Sequence, residues 1–346
     1  MRILHIIAGG EFGGAETIAQ DVILALAEAG IDQRIIARPH AIAVRRFAEA
    51  GVPLTPLWFS RLDRLRGAGA AIRRQAGEFQ ADIVHTWMSR AAAFVPARMP
   101  CPVVGWFGGY YDLKYYRHCD FHIGLTKDIV AYLRREGVPE DRAFLVNTFG
   151  TLAEAAAADR AALATPEDAP LVLVMSRLHE KKGIDTIIEA LTRCPGVYLW
   201  LAGEGPARAA YQTQCRALGL DDRVRFLGWR TDRAALYRAA DIVALPSRYE
   251  PFGTVITEAW AMRRPLVATR AAGAQAYVSD GSDGLLCPID DPLALAHAIT
   301  RLVADPDLRD RLAQGGWRTY QDGFTKEAVI ARLLDAYRTM QRLGKR

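Results

Sequence analysis

The strongest constraint on this chain is a rhythm. Short β-branched apolar runs alternate with longer stretches of helical period along most of its 346 residues. The pattern predicts strands over 2–7, 33–37, 81–85, 102–106 and 121–125, then over 170–175, 197–202, 223–227, 241–245 and 265–269. Between most of them lie 10–20 residues of helical period, as at 15–29 and 185–194. Strand–helix–strand alternation implies parallel sheets covered on both faces. The length suits two such units. An Ala-rich stretch at 151–169 lacks a strand signal and runs into Pro170, after which the pattern restarts. The domain boundary is placed there. The expected organisation is an N-terminal domain over 1–160, a C-terminal domain over 170–320, and a closing segment over 321–346. The last helix in that segment carries apolar residues at Val329, Leu333, Leu334, Tyr337 and Met340. Two doubly wound sheets carry their ligand sites at strand C-termini, facing each other across a cleft.

Composition excludes several alternatives. With 51% hydrophobic and 24% charged residues, the chain is neither disordered nor fibrous. No apolar run approaches the ~18 residues of a membrane-spanning helix. The sequence passes from Arg2 straight into a strand-like run without a cleavable signal pattern, which reads as cytoplasmic. Five cysteines, odd in number and without a CxxC pair, suit a reducing compartment.

Chemistry-bearing residues follow the strands. After the first comes Gly9-Gly10-Glu11-Phe12-Gly13-Gly14-Ala15-Glu16, a turn in which amides can approach an anion or which serves packing alone. The spacing is not that of a dinucleotide fingerprint. The second half opens with a strand followed by Arg177 and Lys182, cations of the kind a diphosphate needs. The third motif runs from Ser247 to Ala259: Glu250 sits in a loop, Pro251 and Gly253 mark a helix entry, and Glu258 lies about one turn in. Carboxylates there can accept hydrogen bonds from sugar hydroxyls while the helix N-terminus holds phosphate. Asp221-Asp222 and Asp290-Asp291 lie in turn-like contexts, and no metal is expected.

The stretch Glu250-Pro251-Phe252-Gly253-Thr254, with Glu258 closing it, resembles the E-x7-E motif of retaining GT-B glycosyltransferases of family 4. SRLHEKKGID at 176–185, LAGEGP at 201–206, RVRFLGW at 223–229, AADIVALPS at 239–247 and GLLCPIDDP at 284–292 agree in order and spacing. GGEFGGAE at 9–16 and DIVHTWMSRAA at 82–92 extend the resemblance to the first half. It implies an α/β, GT-B fold: two Rossmann-like domains facing across a cleft, with a C-terminal helix crossing back to the first. It implies a nucleotide-sugar donor on the second domain and a metal-independent, retaining transfer with no cofactor. By the same resemblance Arg177 and Lys182 bind the donor diphosphate, Glu250 contacts the transferred sugar and Glu258 holds the ribose. Amides of Phe252, Gly253, Thr254 and Val255 meet sugar hydroxyls and phosphate. Gly13 and Gly14 approach the β-phosphate, and Gly228 and Gly203 lie near the base. One departure stands out. Family members commonly carry a His after the fifth strand, and Gly108 occupies that place here. His85 is the candidate substitute in the cleft, or a packed strand-end residue. His118, Cys119 and His122 lie close in sequence, as a helix-to-strand connection or a remote zinc candidate.

The net charge of +5 is unevenly spread: residues 33–75 hold nine Arg against Glu49 and Asp63, or +7, and the remainder −2. Basic residues 34–74 interleaved with Trp58, Phe59, Leu62 and Leu65 suggest an anionic membrane surface or lipid-linked acceptor, against a plain solvated helix face. No nucleic-acid-binding module accompanies the charge. The expected activity is sugar transfer to a cell-envelope glycan acceptor of lipopolysaccharide or polysaccharide assembly, on the inner face of the cytoplasmic membrane. The alternatives are transfer to a soluble product, or an inactive sugar-nucleotide-binding protein.

Overall fold

The computed structural model describes residues 1–10, 14–150, 152 and 154–344. The chain divides into two compact units, 1–148 with 326–346 and 149–325. The division falls just before the Ala-rich stretch instead of within it. The closing segment splits: a helix at Pro306–Gly323 stays with the second unit, while Lys326–Gly344 joins the first. That last helix buries Val329, Ile330, Leu333, Ala336, Tyr337 and Met340, and Lys326 ties it to Glu28 at 2.5 Å.

The first unit contains strands β1 (Arg2–Ile7), β2 (Asp32–Ala37), β3 (Leu54–Pro56), β4 (Ile83–Trp87), β5 (Val103–Phe107), β6 (Phe121–Gly124) and β7 (Ala143–Leu145). They form one parallel sheet in the order β3-β2-β1-β4-β5-β6-β7. The second unit contains β8 (Leu171–Met175), β9 (Tyr198–Ala202), β10 (Val224–Gly228), β11 (Ile242–Leu245), β12 (Leu266–Thr269) and β13 (Leu285–Cys287). Its order is β10-β9-β8-β11-β12-β13, again parallel. All ten expected strands are present. Three further strands, β3, β7 and β13, are each three residues long and lie at sheet edges, where so short a run carries no usable periodicity.

The central strands are buried along their length, as a sheet covered on both faces requires. Every residue of β4, β5, β11 and β12 is buried. In the second unit Val172, Val174, Leu199 and Leu201 pack on Ile184, Ile187, Ile188 and Leu191 of the helix after β8.

Candidate active site

Strand order in the second unit reverses between β8 and β11. The helices that follow these strands pass to opposite faces, so the loops leaving their C-terminal ends open a crevice there. Arg177 and Lys182 leave β8; Glu250 and its helix leave β11. The two loops are stitched together. Gly183 has φ 60°, and a Cβ on it would lie 2.0 Å from the Pro246 carbonyl oxygen, so only glycine fits. The amides of Arg248 and Tyr249 donate to the Lys181 carbonyl at 2.9 and 3.1 Å. The Arg248 guanidinium donates to the Glu180 carbonyl at 2.6 Å, to Asp185 at 2.8 and 2.5 Å, and to Asp290 at 2.6 Å. Those carboxylates, Asp185 first, hold its pKa above the ordinary arginine value. Sequence reasoning missed Arg248, although it stands two residues before Glu250. Its partners are 42 to 68 residues away in sequence and leave no local signal.

This frame sets Lys182 Nζ 2.6 Å from Glu250 Oε2, with the Ser247 hydroxyl 3.4 Å from the same oxygen. Lys182 belongs to a single 3-10 turn, Glu180–Lys182, whose start is capped by His179 Nδ1 accepting from the Lys181 amide at 3.2 Å. The Lys182 and Glu250 side chains are 24% and 14% exposed, so the pair is shielded but reachable. Arg177 is exposed, and among the described residues its guanidinium has no carboxylate partner. Among the described residues the site therefore presents Arg177 without a carboxylate partner and Lys182 half-neutralised by Glu250.

The helix Thr254–Ala261 starts from Gly253, whose φ of 84° turns the chain into it. The amides of Thr254 and Val255 have no acceptor one turn back, which is the general condition of a helix N-terminus. Phe252 is 4% exposed with its ring edge on Tyr277, so its backbone alone faces the helix start. Gly273 lets the next loop close over it, donating its amide to the Glu250 carbonyl at 2.7 Å. Glu258, by contrast, is 2% exposed. Arg233 pairs with its Oε1, the Tyr237 hydroxyl donates to its Oε2 at 2.6 Å, and a Cβ on Gly150 would lie 2.8 Å from its Cγ. Burial pushes the Tyr237 phenol above its ordinary value. Arg233 and Tyr237, four apart on the helix Arg233–Ala239, are a second pair that the sequence did not reveal. Gly228 ends β10 with φ 70°, and its carbonyl accepts from the Gly203 amide at 2.8 Å. A Cβ on Gly203 would lie 2.0 Å from the Ser176 carbonyl oxygen. The ends of β8, β9 and β10 thus converge beside Arg177.

The structure brings together Arg177, Lys182, Gly228, Phe252, Gly253, Thr254, Val255, Glu250 and Glu258, all at one sheet edge of the second unit. Gly13 lies outside the described residues. Gly14 begins the helix Gly14–Glu28 of the first unit. Ahead of it, the Gly10 amide donates to the Glu16 carboxylate at 3.0 Å. The placement of His85 in a cleft is corrected. It is fully buried, stacks on Trp87 with ring centres 4.4 Å apart, and meets the Tyr337 hydroxyl at 2.5 Å through Nδ1. Strand β4 is buried on both faces, and the last helix covers this side of it, so His85 is a core residue. Gly108 directly follows β5, where an added Cβ would meet Leu125 at an ordinary 3.6 Å. His118, Cys119 and His122 do not converge: His118 meets Arg117, Cys119 meets Thr86, and the Nδ1 of His122 is buried without a partner. No group of three metal-ligating side chains occurs among the described residues. Nor is any helix among them long and apolar enough to cross a membrane.

Residues 156–318 match the family described as glycosyl transferases group 1, and residues 12–149 that described as Glycosyltransferase Family 4. A lipopolysaccharide core biosynthesis glycosyltransferase of Rhizobium meliloti, LpsE, is 36% identical over 97% of this chain and 98% of its own. This chain is a glycosyltransferase of group 1, family 4. A second relative of this glycosyltransferase in Rhizobium meliloti, LpsD, is 34% identical over 97% of this chain and 98% of its own. The structure of Anabaena HepE in complex with UDP and glucose superposes with a TM-score of 0.82 at 22% identity, covering 97% of this chain and 98% of that one. The fold of the glycosyltransferase is accordingly GT-B.

Proposed function

We propose that this glycosyltransferase moves a sugar, with retention and without a metal, from a nucleotide-sugar to a lipid-linked glycan acceptor of lipopolysaccharide or polysaccharide assembly. The observation that carries the reading is the crevice at β8 and β11, where free Arg177, the Lys182–Glu250 pair and the open start of the helix Thr254–Ala261 face one edge. Breaking the anomeric C–O bond leaves negative charge on the diphosphate and positive charge on the sugar. Arg177, Lys182 and the amides of Thr254 and Val255 offset the first. Fixed donors of this kind are worth ~3–4 kcal/mol each at a developing anion. The Glu250 carboxylate lies against Lys182 and faces the sugar, accepting from its hydroxyls while its charge favours the electron-poor anomeric centre. Glu258 holds the ribose with the lone pairs that Arg233 and Tyr237 leave open. Because Glu258 is locked from two sides, the ribose meets a carboxylate that pays no ordering entropy on binding.

The acceptor class is supported by LpsE and LpsD, lipopolysaccharide core enzymes similar over nearly the whole chain. The donor class is supported by the UDP and UDP-glucose in HepE. The deciding experiment is transfer from a panel of nucleotide-sugars to delipidated and intact lipopolysaccharide core, with the product's anomeric configuration read by NMR. Product from at least one donor, with the donor's own configuration kept, is expected. If the Lys182→Ala and Glu250→Ala variants both transferred at the wild-type rate, the site assignment would fail.

A further inference from the structure

On the edge of the first sheet where its strands begin, the turns leading into β6 and β7 enclose a cavity of about 390 Å³, and we propose that it binds a neutral sugar. Ligands of doubly wound sheets sit at the opposite edge, where strands end. The cavity belongs to the first unit alone, and binding there needs neither donor nor acceptor of the transfer reaction. Its volume falls in the roughly 300–1,000 Å³ range of small-molecule sites and suits a mono- or disaccharide. One side chain in its wall lacks a partner. His122, the second residue of β6, is 8% exposed, and its ring is held against Phe107 with centres 5.6 Å apart. Its Nδ1 is enclosed without a partner among the described residues, so Nε2 is the nitrogen that meets the cavity. Burial keeps the imidazole neutral, with its pKa lowered to about 4. A proton on Nδ1 would have no acceptor, so the neutral ring carries it on Nε2 and turns a donor toward the cavity.

The rest of the wall offers donors and acceptors together. Arg117 and Arg142 bring guanidiniums, Asp120 and Glu136 bring carboxylates, and the charges cancel. The Val103 amide donates to Asp120 Oδ2 at 2.8 Å, and Oδ1 has no partner among the described residues. Arg117 Nε meets His118 Nε2 at 3.2 Å, and Arg142 lies over the Phe121 ring at 4.6 Å, so neither guanidinium is paired with Asp120 or Glu136. Val138 and Pro139 add an apolar flank for the C–H face of a pyranose. Charge decides the ligand class. An anion would meet both carboxylates and the negative end of the helix Lys127–Arg135, which runs into Glu136 at the cavity. A cation would meet both guanidiniums. Sugar hydroxyls, each able to donate and to accept, satisfy every one of these groups without bringing a charge.

The test is an NMR titration of the full chain, carrying isotope-labelled histidine, with glucose, galactose, mannose, N-acetylglucosamine, maltose and lactose, each alone. At least one of these sugars is expected to shift the ring nitrogens of His122 along a saturable curve. His122→Phe, which keeps a buried ring and removes the donor, should weaken binding of that sugar about tenfold by calorimetry. Arg117→Met with Glu136→Gln, both at exposed positions, should weaken it about tenfold or more with thermal melting unchanged. Lys182→Ala with Glu250→Ala should leave the His122 shift as it is. A His122 resonance that no sugar moves overturns the proposal, as does wild-type binding by the His122→Phe variant. Binding lost only in the Lys182→Ala, Glu250→Ala variant places the sugar at the second unit's edge and overturns it equally. Acetate or inorganic phosphate acting on the same resonances at lower concentration than any sugar assigns the cavity to an anion instead.

Discussion

The two units share an architecture and differ in where they keep their polar chemistry. The first buries it. His5, His85 and His122 lie inside the sheet, and burial pushes the imidazoles of His5 down to about 3, of His122 to about 4, and of His85 well below its ordinary value. The second unit brings its charges to one edge, where each is held by another: Arg248 by Asp185 and Asp290, Lys182 by Glu250, Arg233 by Glu258. A buried neutral imidazole is a stability device that acid switches off. A cross-linked charge edge is a preorganised surface whose loss is felt in chemistry before it is felt in folding.

Acid should break the comparison most visibly. The three imidazoles stay neutral in the fold, with pKa values below the unfolded value of 6.5, so their contribution is present above that pH and lost as pH falls. The window runs from 6.5 down to about 3–4. At pH 5 His5 and His122 each cost about 2 kcal/mol, on the order of 4 kcal/mol for the two, and His85 acts in the same direction. Hydrogen exchange at pH 5 should show β1, β4 and β6 opening before β8 and β11. His122→Phe, which removes a buried nitrogen without a partner, should flatten the dependence by about 2 kcal/mol. If β8 opened first, the contrast would be lost.

A change at the edge of the second unit should do the reverse. Lys182→Ala is expected to lower kcat by about 10²–10³ with the exchange of β1 and β4 unchanged. Arg248 acts through others, as a positioning residue. Its Gln variant should lower kcat about tenfold with a small change in donor KM, and Lys should rescue little, because an ammonium cannot reproduce the forked contact to Asp185. The smallest effect belongs to the first unit's surface. Ser60→Ala removes half of the cap on Arg61–Leu65, costs about 1 kcal/mol locally, and should appear only as faster exchange of that helix.

Much of this was legible in the sequence, for physical reasons. The ten long strands carry a period-2 or fully apolar signal that survives without tertiary context. The candidate residues follow strands because parallel sheets open their crevices at strand ends, and Gly253 and Gly183 mark turns that only glycine completes. What the sequence hid were long-range partners. Arg233, Tyr237 and Arg248 sit in ordinary helical or loop surroundings, and their meaning comes from carboxylates brought to them by folding. His85 was legible only as a strand-end residue, because the helix that buries it arrives some 252 positions later.

The carbonyl of Pro246 pressed against Gly183 has a consequence for anyone exchanging parts among relatives of this chain. The loop after β8 and the loop after β11 share one surface of contact too close for any side chain, so they behave as a single casting. A graft that replaces one and keeps the other brings two backbones together that were never shaped to touch. Changes of selectivity should therefore be sought by moving both loops at once, or by altering side chains on a frame left whole.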